Sequence, residues 1–222
     1  MIESIRHIDI PEISHLDRML DDDISRYVDC CAAAYATYPL TLWMVGGNTS
    51  YKKQVSLWKA NLQTLRNQAL IYSVSSDGII NGNCIWLPEG FSGVSSLSFL
   101  LHGGMRILPY ASRLSSYEKY TAELKTRLTN NKCLYLYSIA VRPGKQGIGL
   151  ATALLQPMMD YLDRVGKDCY LETHLQVNVG LYERFGFQLT ATGKVPDSQL
   201  THYAMLRHPQ TDKRQSPTNP HF

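Results

Sequence analysis

The first half of the chain has apolar residues at intervals of three and four, a spacing that predicts amphipathic helices. The segments with this period are residues 14–20, 22–35, 52–67, 95–108 and 113–128. An acidic triplet, Asp21-Asp22-Asp23, stands where it would stabilise the start of the second helix, and Pro39 is expected to end that run.

The apolar period changes from helical to alternating in the middle of the chain. Residues 69–75 and 79–87 predict two strands, and Asp77-Gly78 between them is a strong hairpin signal. The second half alternates between element types: the expected strands are 133–141, 168–173, 187–192 and 200–207, and the expected helices are 147–165 and 178–185. A strand, a helix and a strand at this spacing indicate two parallel strands joined by a crossover helix.

Length and composition place these elements in one domain. The chain has 222 residues, of which 44% are hydrophobic and 18% are charged, an ordinary balance for a folded domain. We expect this domain to span residues 1–207. Residues 208–222 are rich in Pro, Gln and Thr without an apolar period, and we expect a disordered tail there. The most apolar stretch, residues 91–110, is interrupted by Gly, Ser, His and Arg and falls short of a membrane span.

Charge and cysteine content narrow the possible functions. A net charge of +3 from scattered Lys and Arg residues gives no concentrated basic face, so nucleic acid is not an expected partner, whereas an anionic small ligand is compatible. The five Cys residues have no Cys-x-x-Cys spacing, and we expect them to be reduced and mostly buried. Neither they nor the seven His residues have zinc-binding spacing, so no metal is expected. Residues 1–12 carry charges and do not resemble a signal peptide, which predicts a cytoplasmic location without membrane partners.

The turn between the strand 133–141 and the helix 147–165 carries the clearest chemical signal. The first turn of a helix has free backbone N–H groups and the positive end of the helix dipole. Gly147 and Gly149 let a ligand approach that backbone closely, so the turn predicts a site for an anion such as a pyrophosphate. It is not a P-loop, because Lys145 precedes the glycines, and it lacks the third glycine of a dinucleotide fingerprint.

A longer pattern distinguishes this turn from an ordinary strand-to-helix connection. Gln146 to Ala151 reads Gln-x-x-Gly-x-Ala, and it is followed in register by Leu171-Glu-Thr173 and by residues 178–187, which end in Tyr-Glu-Arg-Phe-Gly-Phe. This combination resembles the GNAT (GCN5-related) N-acetyltransferase superfamily over about residues 135–207. Within that superfamily, the strand Tyr-Leu-Tyr-Ser-Ile-Ala-Val and Pro157 in the long helix are most similar to the puromycin N-acetyltransferase-like group.

The resemblance implies both a fold and a cofactor. The expected fold is mixed α/β (α+β), a twisted and mostly antiparallel sheet with one splayed parallel strand pair, flanked by helices. Acetyl-CoA is the implied acyl donor, held by a core of about residues 133–207. Its pantetheine arm would pair with a strand backbone, and the Val141 N–H would polarise the thioester carbonyl. The cofactor-binding residues that the resemblance implies are Ile139, Ala140, Val141, Gln146, Gly147, Ile148, Gly149, Ala151, Thr152 and Asn178.

Two residues are the leading candidates for proton transfer. In the resembling family a tyrosine at the position of Tyr182 protonates the leaving thiolate, and a phenol with a pKa near ~10 can do so at neutral pH. Glu172 is the first choice for the general base, while His174, Tyr135, Tyr137 and a chain of water molecules remain alternatives. Strand alternation puts the carboxylate and the imidazole on one face.

Asn178 and three aromatic residues each have two interpretations. Asn178 lies one turn before Tyr182, where it could bond the pantetheine arm or cap the short helix. Tyr38, Trp43 and Trp86 are candidates for the wall of an acceptor pocket, and each also fits a core position.

These features together predict an acetyl-CoA-dependent N-acetyltransferase that acts on a primary amine of a small molecule by direct transfer in a ternary complex. A protein amine as acceptor, a longer acyl group and a non-catalytic acyl-CoA sensor are alternatives. The sequence leaves open the acceptor and the oligomeric state, for which a homodimer is one possibility.

Overall fold

The secondary structure comes from a computed structural model, which describes residues 9–20, 23–47, 50–91, 93, 96–102 and 104–210. The strands are β1 Asp17–Arg18, β2 Leu70–Ser76, β3 Ile79–Leu87, β4 Leu134–Val141, β5 Cys169–Thr173, β6 Gln188–Lys194 and β7 Thr201–Arg207. The α-helices are α1 Ile24–Ala34, α2 Pro39–Met44, α3 Tyr51–Leu65, α4 Ser96–Leu101, α5 Ala111–Thr129, α6 Leu150–Val165 and α7 Gln176–Glu183. Two 3-10 helices cover Pro11–Ile13 and Gly104–Tyr110.

The described strands form one sheet in the order β1-β2-β3-β4-β5-β7-β6. Adjacent strands are antiparallel except β4 and β5, which are parallel and are connected through α6. This confirms the predicted mixed sheet with one parallel pair and a crossover helix. The Asp77-Gly78 hairpin is also confirmed: its two residues have positive φ values of 52° and 73°, as a two-residue hairpin turn requires.

Helices cover both faces of the sheet and divide the core in two. On one face, α6 contributes a stripe of apolar side chains at helical spacing. These side chains, each at most 1% exposed, are Leu154, Leu155, Met158, Met159 and Leu162. On the other face, Tyr27 of α1 and Leu62 of α3 belong to the same cluster as Ile85 of β3. On that face α5 packs Leu124 against Tyr170 of β5, so three helices cover the side on which β4 and β5 present their tyrosines.

Residues 14–20 do not form the helix that their spacing predicts. They contain β1, which pairs with β2 at the edge of the sheet. The Met19 N–H donates to the Ile71 carbonyl oxygen at 2.9 Å, and the Tyr27 hydroxyl donates to the Asp17 carbonyl oxygen at 3.0 Å. Pairing with a strand edge satisfies these backbone groups and outweighs a weak helical period.

Two other helix boundaries differ from the prediction. Pro39 begins α2, because Tyr38 before it is extended (φ −71°, ψ 128°) and the fixed φ of proline suits the first turn of a helix. Residues 95–108 contain α4 followed by the second 3-10 helix, in which Pro109 removes a backbone donor and disfavours a continuous α-helix. The other predicted elements are present, with boundaries that differ by up to about three residues.

The remaining expectations concern cysteines, metals, membranes and the tail. All five cysteines are buried and carry free thiols, in agreement with the prediction. Among the residues that the structure describes, His, Cys, Asp and Glu side chains form no group of three or more that could hold a metal ion. No helix in the described ranges is long and apolar enough to cross a membrane. Most of the predicted tail, residues 211–222, lies outside the described residues.

Candidate functional site

The parallel strands β4 and β5 separate soon after they begin to pair. Their pairing ends at Leu136 and Leu171, although β4 continues to Val141 and β5 to Thr173. Over this length β4 stays paired with β3, and β5 stays paired with β7. The predicted splayed pair is therefore present, and it leaves the second half of β4 with an edge that faces a gap in the sheet.

A β-bulge at Tyr137 determines which side chains lie near this gap. The register between β4 and β3 shifts at that residue. A bulge lets consecutive side chains point to the same face, and both Tyr137 and Ser138 contact helices on one side of the sheet. The Tyr137 hydroxyl donates to Asn61 Oδ1 of α3 at 2.7 Å, and Ser138 Oγ lies 3.0 Å from the Tyr35 hydroxyl of α1.

Beyond the bulge, the backbone groups of β4 alternate between β3 and the gap. The Arg142 N–H donates to the Asn81 carbonyl oxygen of β3 at 2.8 Å, so Val141 and Ile139 present their N–H groups to the gap. The Ile139 carbonyl oxygen accepts from the Tyr35 hydroxyl at 2.8 Å, which agrees with this direction. Such an edge can pair with an extended ligand that carries amide groups.

The loop after β4 contains two glycines in the left-handed region before α6 begins. Gly147 and Gly149 have φ values of 77° and 88°, and the space around each is open. Because Gly149 precedes the helix, the N–H groups of Leu150, Ala151 and Thr152 have no acceptor within it. These donors, together with the positive end of the helix dipole, form a site suited to phosphate oxygens.

A cavity of about 630 Å³ occupies the gap and extends over this turn. It is lined by all but one of the residues predicted for the site: Ile139, Ala140, Val141, Gln146, Gly147, Gly149, Ala151, Thr152, Glu172, Asn178 and Tyr182. The exception is Ile148, whose side chain is 67% exposed to solvent. Ile148 stands between the two left-handed glycines, and its contact with the cofactor stays a prediction.

Basic side chains near the turn divide into two groups. Lys145 and Arg184 line the cavity, where their charge favours an anionic ligand. Arg142 is engaged elsewhere, because its guanidinium donates to Asp29 at 2.9 Å and to the Ile80 carbonyl oxygen at 3.1 Å.

Helix α7 brings Tyr182 and Asn178 to the β5 side of the cavity. Tyr182 is 6% exposed and packs edge-on against Phe187, with ring centroids 5.9 Å apart. Burial raises the pKa of Tyr182 above its ordinary value, so its phenol is protonated at neutral pH. Asn178 does not cap the helix: the cap position is Leu175, and the Asn178 amide donates to Thr173 Oγ1 at 3.1 Å.

Glu172 lies on β5 among three tyrosine hydroxyl groups. Tyr170 donates to its Oε1 at 2.9 Å, and Tyr117 and Tyr135 donate to its Oε2 at 3.4 and 3.3 Å. Burial raises the pKa of Glu172 to about 7, although these hydrogen bonds and the nearby charge of Lys125 oppose the rise. A carboxyl group that titrates near neutrality is well matched to accept a proton from a substrate.

The alternative bases have less suitable pKa values than Glu172. His174 is on the same face of β5, as strand alternation predicts, and its Nε2 lies 3.3 Å from the Tyr117 hydroxyl. Burial lowers the pKa of His174 to about 3, which makes its imidazole a weak base. Burial raises the pKa values of Tyr135 and Tyr137, so both phenols keep their protons at neutral pH.

A second cavity, of about 100 Å³, lies on the face of the sheet covered by α3 and α5. Glu172 and Tyr137 line both cavities, so the two meet at these side chains. Its other walls include Phe99 of α4 and Leu114 of α5. The side chain of Glu172 therefore borders both cavities.

The three aromatic candidates for an acceptor pocket lie in different environments. Tyr38 lines the larger cavity, and its hydroxyl accepts from the His174 backbone N–H at 2.9 Å. Trp86 is fully buried in the core between the sheet and α6. Trp43 lies against Arg113, whose guanidinium carbon is 5.7 Å from the centre of the indole ring. Of the three, Tyr38 therefore lies at the wall of the larger cavity, as predicted for an acceptor pocket.

Several residues of the site escaped the sequence analysis because they come from separate helices and strands without a shared motif. They are Tyr35, Tyr117, Lys125, Tyr170 and Arg184. The chain contains 14 tyrosines, so the identity of the residue alone does not separate a site tyrosine from a core one.

The comparisons with known proteins concern this same region and the fold around it. Residues 115–187 match the model of the Acetyltransferase (GNAT) family. The histone acetyltransferase HPA2 and related acetyltransferase from Corynebacterium glutamicum is 20% identical, with a TM-score of 0.58 over 89% of this chain and 97% of that chain. The ribosomal-protein-S18-alanine N-acetyltransferase from Escherichia coli is 17% identical, with a TM-score of 0.52 over 93% of this chain and 98% of that chain.

A mosquito arylalkylamine N-acetyltransferase-like protein also shares the fold, at 13% identity and a TM-score of 0.53 over 87% of this chain and 98% of that chain. The residues matched by the family model include the separated strands, the glycine turn, Glu172 and Tyr182. The family match thus covers residues 115–187 of this chain, and the solved structures share its fold.

Proposed function

We propose that this protein transfers an acetyl group from acetyl-CoA to a primary amine of a small molecule, in a ternary complex of both substrates. The observation that carries the proposal is the meeting of two cavities at Glu172. The larger cavity has the donors for a long anionic cofactor, and the smaller one approaches the same carboxylate from the other side.

The residues around the larger cavity fit coenzyme A. The unpaired N–H groups at the start of α6 and the charges of Lys145 and Arg184 suit its phosphates. The gap-facing N–H groups of Ile139 and Val141 suit the amides of its pantetheine arm. The bound cofactor would supply an activated acetyl thioester, and the Val141 N–H is our proposed donor to its carbonyl oxygen.

Glu172 is the proposed general base. An amine reaches the enzyme as an ammonium ion at neutral pH, and it must lose a proton before its nitrogen can attack a carbonyl carbon. With a pKa of about 7, the Glu172 carboxylate is ionised in much of the enzyme and can take that proton. The hydroxyl groups of Tyr117, Tyr135 and Tyr170 hold the carboxylate in place.

Tyr182 is the proposed general acid. It lines the cofactor cavity, and burial raises its pKa, so it holds a proton at neutral pH. That proton would move to the sulfur when the carbon–sulfur bond breaks, and free coenzyme A thiol would leave. Because both substrates must be held together, much of the rate gain is expected from positioning.

A protein amine is a second candidate acceptor. The names of two neighbours, the HPA2-related and ribosomal-protein-S18-alanine enzymes, refer to protein substrates. The second cavity, at about 100 Å³, favours a compact acceptor instead.

The test is the release of coenzyme A thiol from acetyl-CoA in the presence of single amines, with the product identified by mass spectrometry. The panel contains small primary amines, lysine-containing peptides and peptides with free N-termini. We expect acetylated small amines and little peptide product. Acetylation of peptides alone would favour the second candidate. Tight acetyl-CoA binding without turnover on any amine would contradict an enzymatic role and favour an acyl-CoA sensor.

A further inference from the structure

The second cavity has two chemically different ends. Its polar end holds Glu172, Tyr117 and Tyr135, which are connected by hydrogen bonds. Its opposite end is apolar, formed by side chains that pack in one cluster: Met44, Leu57, Phe99 and Leu114. A ligand that fills this cavity therefore needs a polar group at one end and an apolar body at the other.

We propose that this cavity binds the acceptor as an amine with a compact aromatic or aliphatic body, and that Phe99 and Leu114 limit the length of that body. This inference rests on the proposed acetyl transfer, since it places the amine at Glu172 and the body among the apolar side chains.

The charges around the cavity argue against an acceptor that carries a carboxylate. Glu172 and Glu118 both line it. Lys125 is the cation in its wall, but its Nζ donates to the Phe91 carbonyl oxygen at 2.6 Å and lies 5.3 Å from the centre of the Tyr135 ring. Lys125 is 7% exposed and already bonded, so it is not free to pair with a carboxylate of the substrate. An amino acid bound here would place its carboxylate near two acidic groups without a cation to neutralise it.

The length limit comes from a wall shared with a third cavity. That cavity, of about 80 Å³, is lined by Ile107 and Leu108 beyond the wall. Phe99, Leu114 and Glu118 line both cavities. Removing the Phe99 ring would join the two spaces and lengthen the apolar end of the acceptor site.

Two substitutions change the volume of this pocket in opposite directions. Ala122 lines the pocket on a partly exposed turn of α5, so Ala122→Phe adds a ring to the pocket without disturbing the buried core. Phe99→Ala enlarges the pocket. Ser112→Phe is the matched control, because Ser112 is exposed on the same helix as Ala122.

The experiment measures kcat/KM for phenethylamine, 4-phenylbutylamine and phenylalanine in the wild type and these variants. We expect the wild type to prefer phenethylamine over phenylalanine by about tenfold or more, and Ala122→Phe to lower kcat/KM for phenethylamine by about tenfold or more. Phe99→Ala should shift the preference toward 4-phenylbutylamine by about tenfold. Ser112→Phe should match the wild type, and the KM for acetyl-CoA should stay constant throughout.

Calorimetric binding of phenethylamine to the coenzyme A complex separates the two proposals. If no amine is acetylated, the proposed function fails. In that case, phenethylamine binding that is present in the wild type and lost in Ala122→Phe would still support the pocket. If amines are acetylated but neither variant changes their order or their binding, this inference is overturned while the proposed function stands. A wild-type preference for phenylalanine would also overturn it.

Discussion

The two walls of the gap between β4 and β5 are built from different parts of the chain. The β4 wall consists mainly of backbone groups from one continuous stretch, which runs from Ile139 through the glycine turn to Thr152. The β5 wall consists of side chains: Glu172 is bonded by tyrosines from α5, β4 and β5 itself. A wall of backbone donors is sensitive to added bulk and to changes of φ, whereas a wall of side chains is sensitive to the loss of single charges and hydroxyl groups.

The largest effect is expected from a substitution in the backbone wall. Gly149→Glu should weaken acetyl-CoA binding by about 100-fold or more, because it strains a residue with a φ of 88° and adds negative charge beside the phosphate donors. Titration calorimetry with acetyl-CoA measures the effect, with circular dichroism to confirm folding.

Ile148→Glu is the matched control for the added charge. It introduces the same carboxylate at the neighbouring position, where the native side chain is 67% exposed. We expect only a few-fold loss there, because an exposed charge is worth about 1 kcal/mol or less. Equal losses in both variants would contradict a site built on the Gly149 backbone.

In the side-chain wall, Glu172→Gln should lower kcat by about 100-fold while the Kd for acetyl-CoA is unchanged. In the wild type, activity should rise with pH as the carboxylate forms, with a midpoint near the Glu172 pKa of about 7. At lower pH the carboxylate is protonated, and activity should be lost. The variant should lose this rise. Glu123→Gln, at an exposed carboxylate of α5, is the control and should retain it.

Tyr182→Phe is expected to lower kcat by about tenfold or more, because it removes the proposed proton donor and leaves the ring in place. Stopped-flow measurement of acetyl transfer checks this, and the Kd for acetyl-CoA should stay constant. The control is Tyr161→Phe, at a buried tyrosine in the same cluster as Tyr182. Equal losses in the two variants would indicate a packing role for Tyr182.

The smallest effect is expected from the charge of Lys125. Burial raises the pKa of Glu172 to about 7, and the Lys125 ammonium opposes that rise. Lys125→Met should therefore raise the Glu172 pKa further and move the midpoint of the pH–rate profile upward by about one pH unit or less. Lys119→Met, at an exposed lysine of the same helix, should leave the midpoint unchanged. A downward shift in Lys125→Met would contradict this account of the electrostatics.

The same division of the site explains how much could be predicted from the sequence. The β4 wall follows from local features, since glycines at a strand-to-helix turn and the alternation of β4 determine where the backbone donors point. The exposure of the Ile148 side chain, 67%, could not be predicted from the motif, because a motif position does not reveal the direction of a side chain between two left-handed glycines. The parallel pair and its crossover helix followed from the order of elements.

For the β5 wall, the sequence indicated Glu172, Tyr182 and Asn178 as candidates but not the hydrogen bonds that surround the carboxylate. Tyr117 and Tyr135 are separated from it by 55 and 37 positions in the chain, and Lys125 comes from the same helix as Tyr117. The pairing of β4 with β5 brings Tyr135 to the carboxylate, and the packing of α5 over β5 brings Tyr117 and Lys125. The helix predicted for residues 14–20 was wrong for a related reason, because pairing with β2, which is distant in sequence, determines the conformation of these residues.

Amide hydrogen exchange of β4, measured by NMR with and without acetyl-CoA, tests the central claim most directly. We predict that the Ile139 and Val141 amides exchange rapidly in the free protein and become protected when acetyl-CoA binds, because they face the gap. The Arg142 amide, bonded to Asn81 of β3 at 2.8 Å, should be protected in both states. Binding of acetyl-CoA that leaves the Ile139 and Val141 amides unprotected would contradict a cofactor site on the open edge of β4.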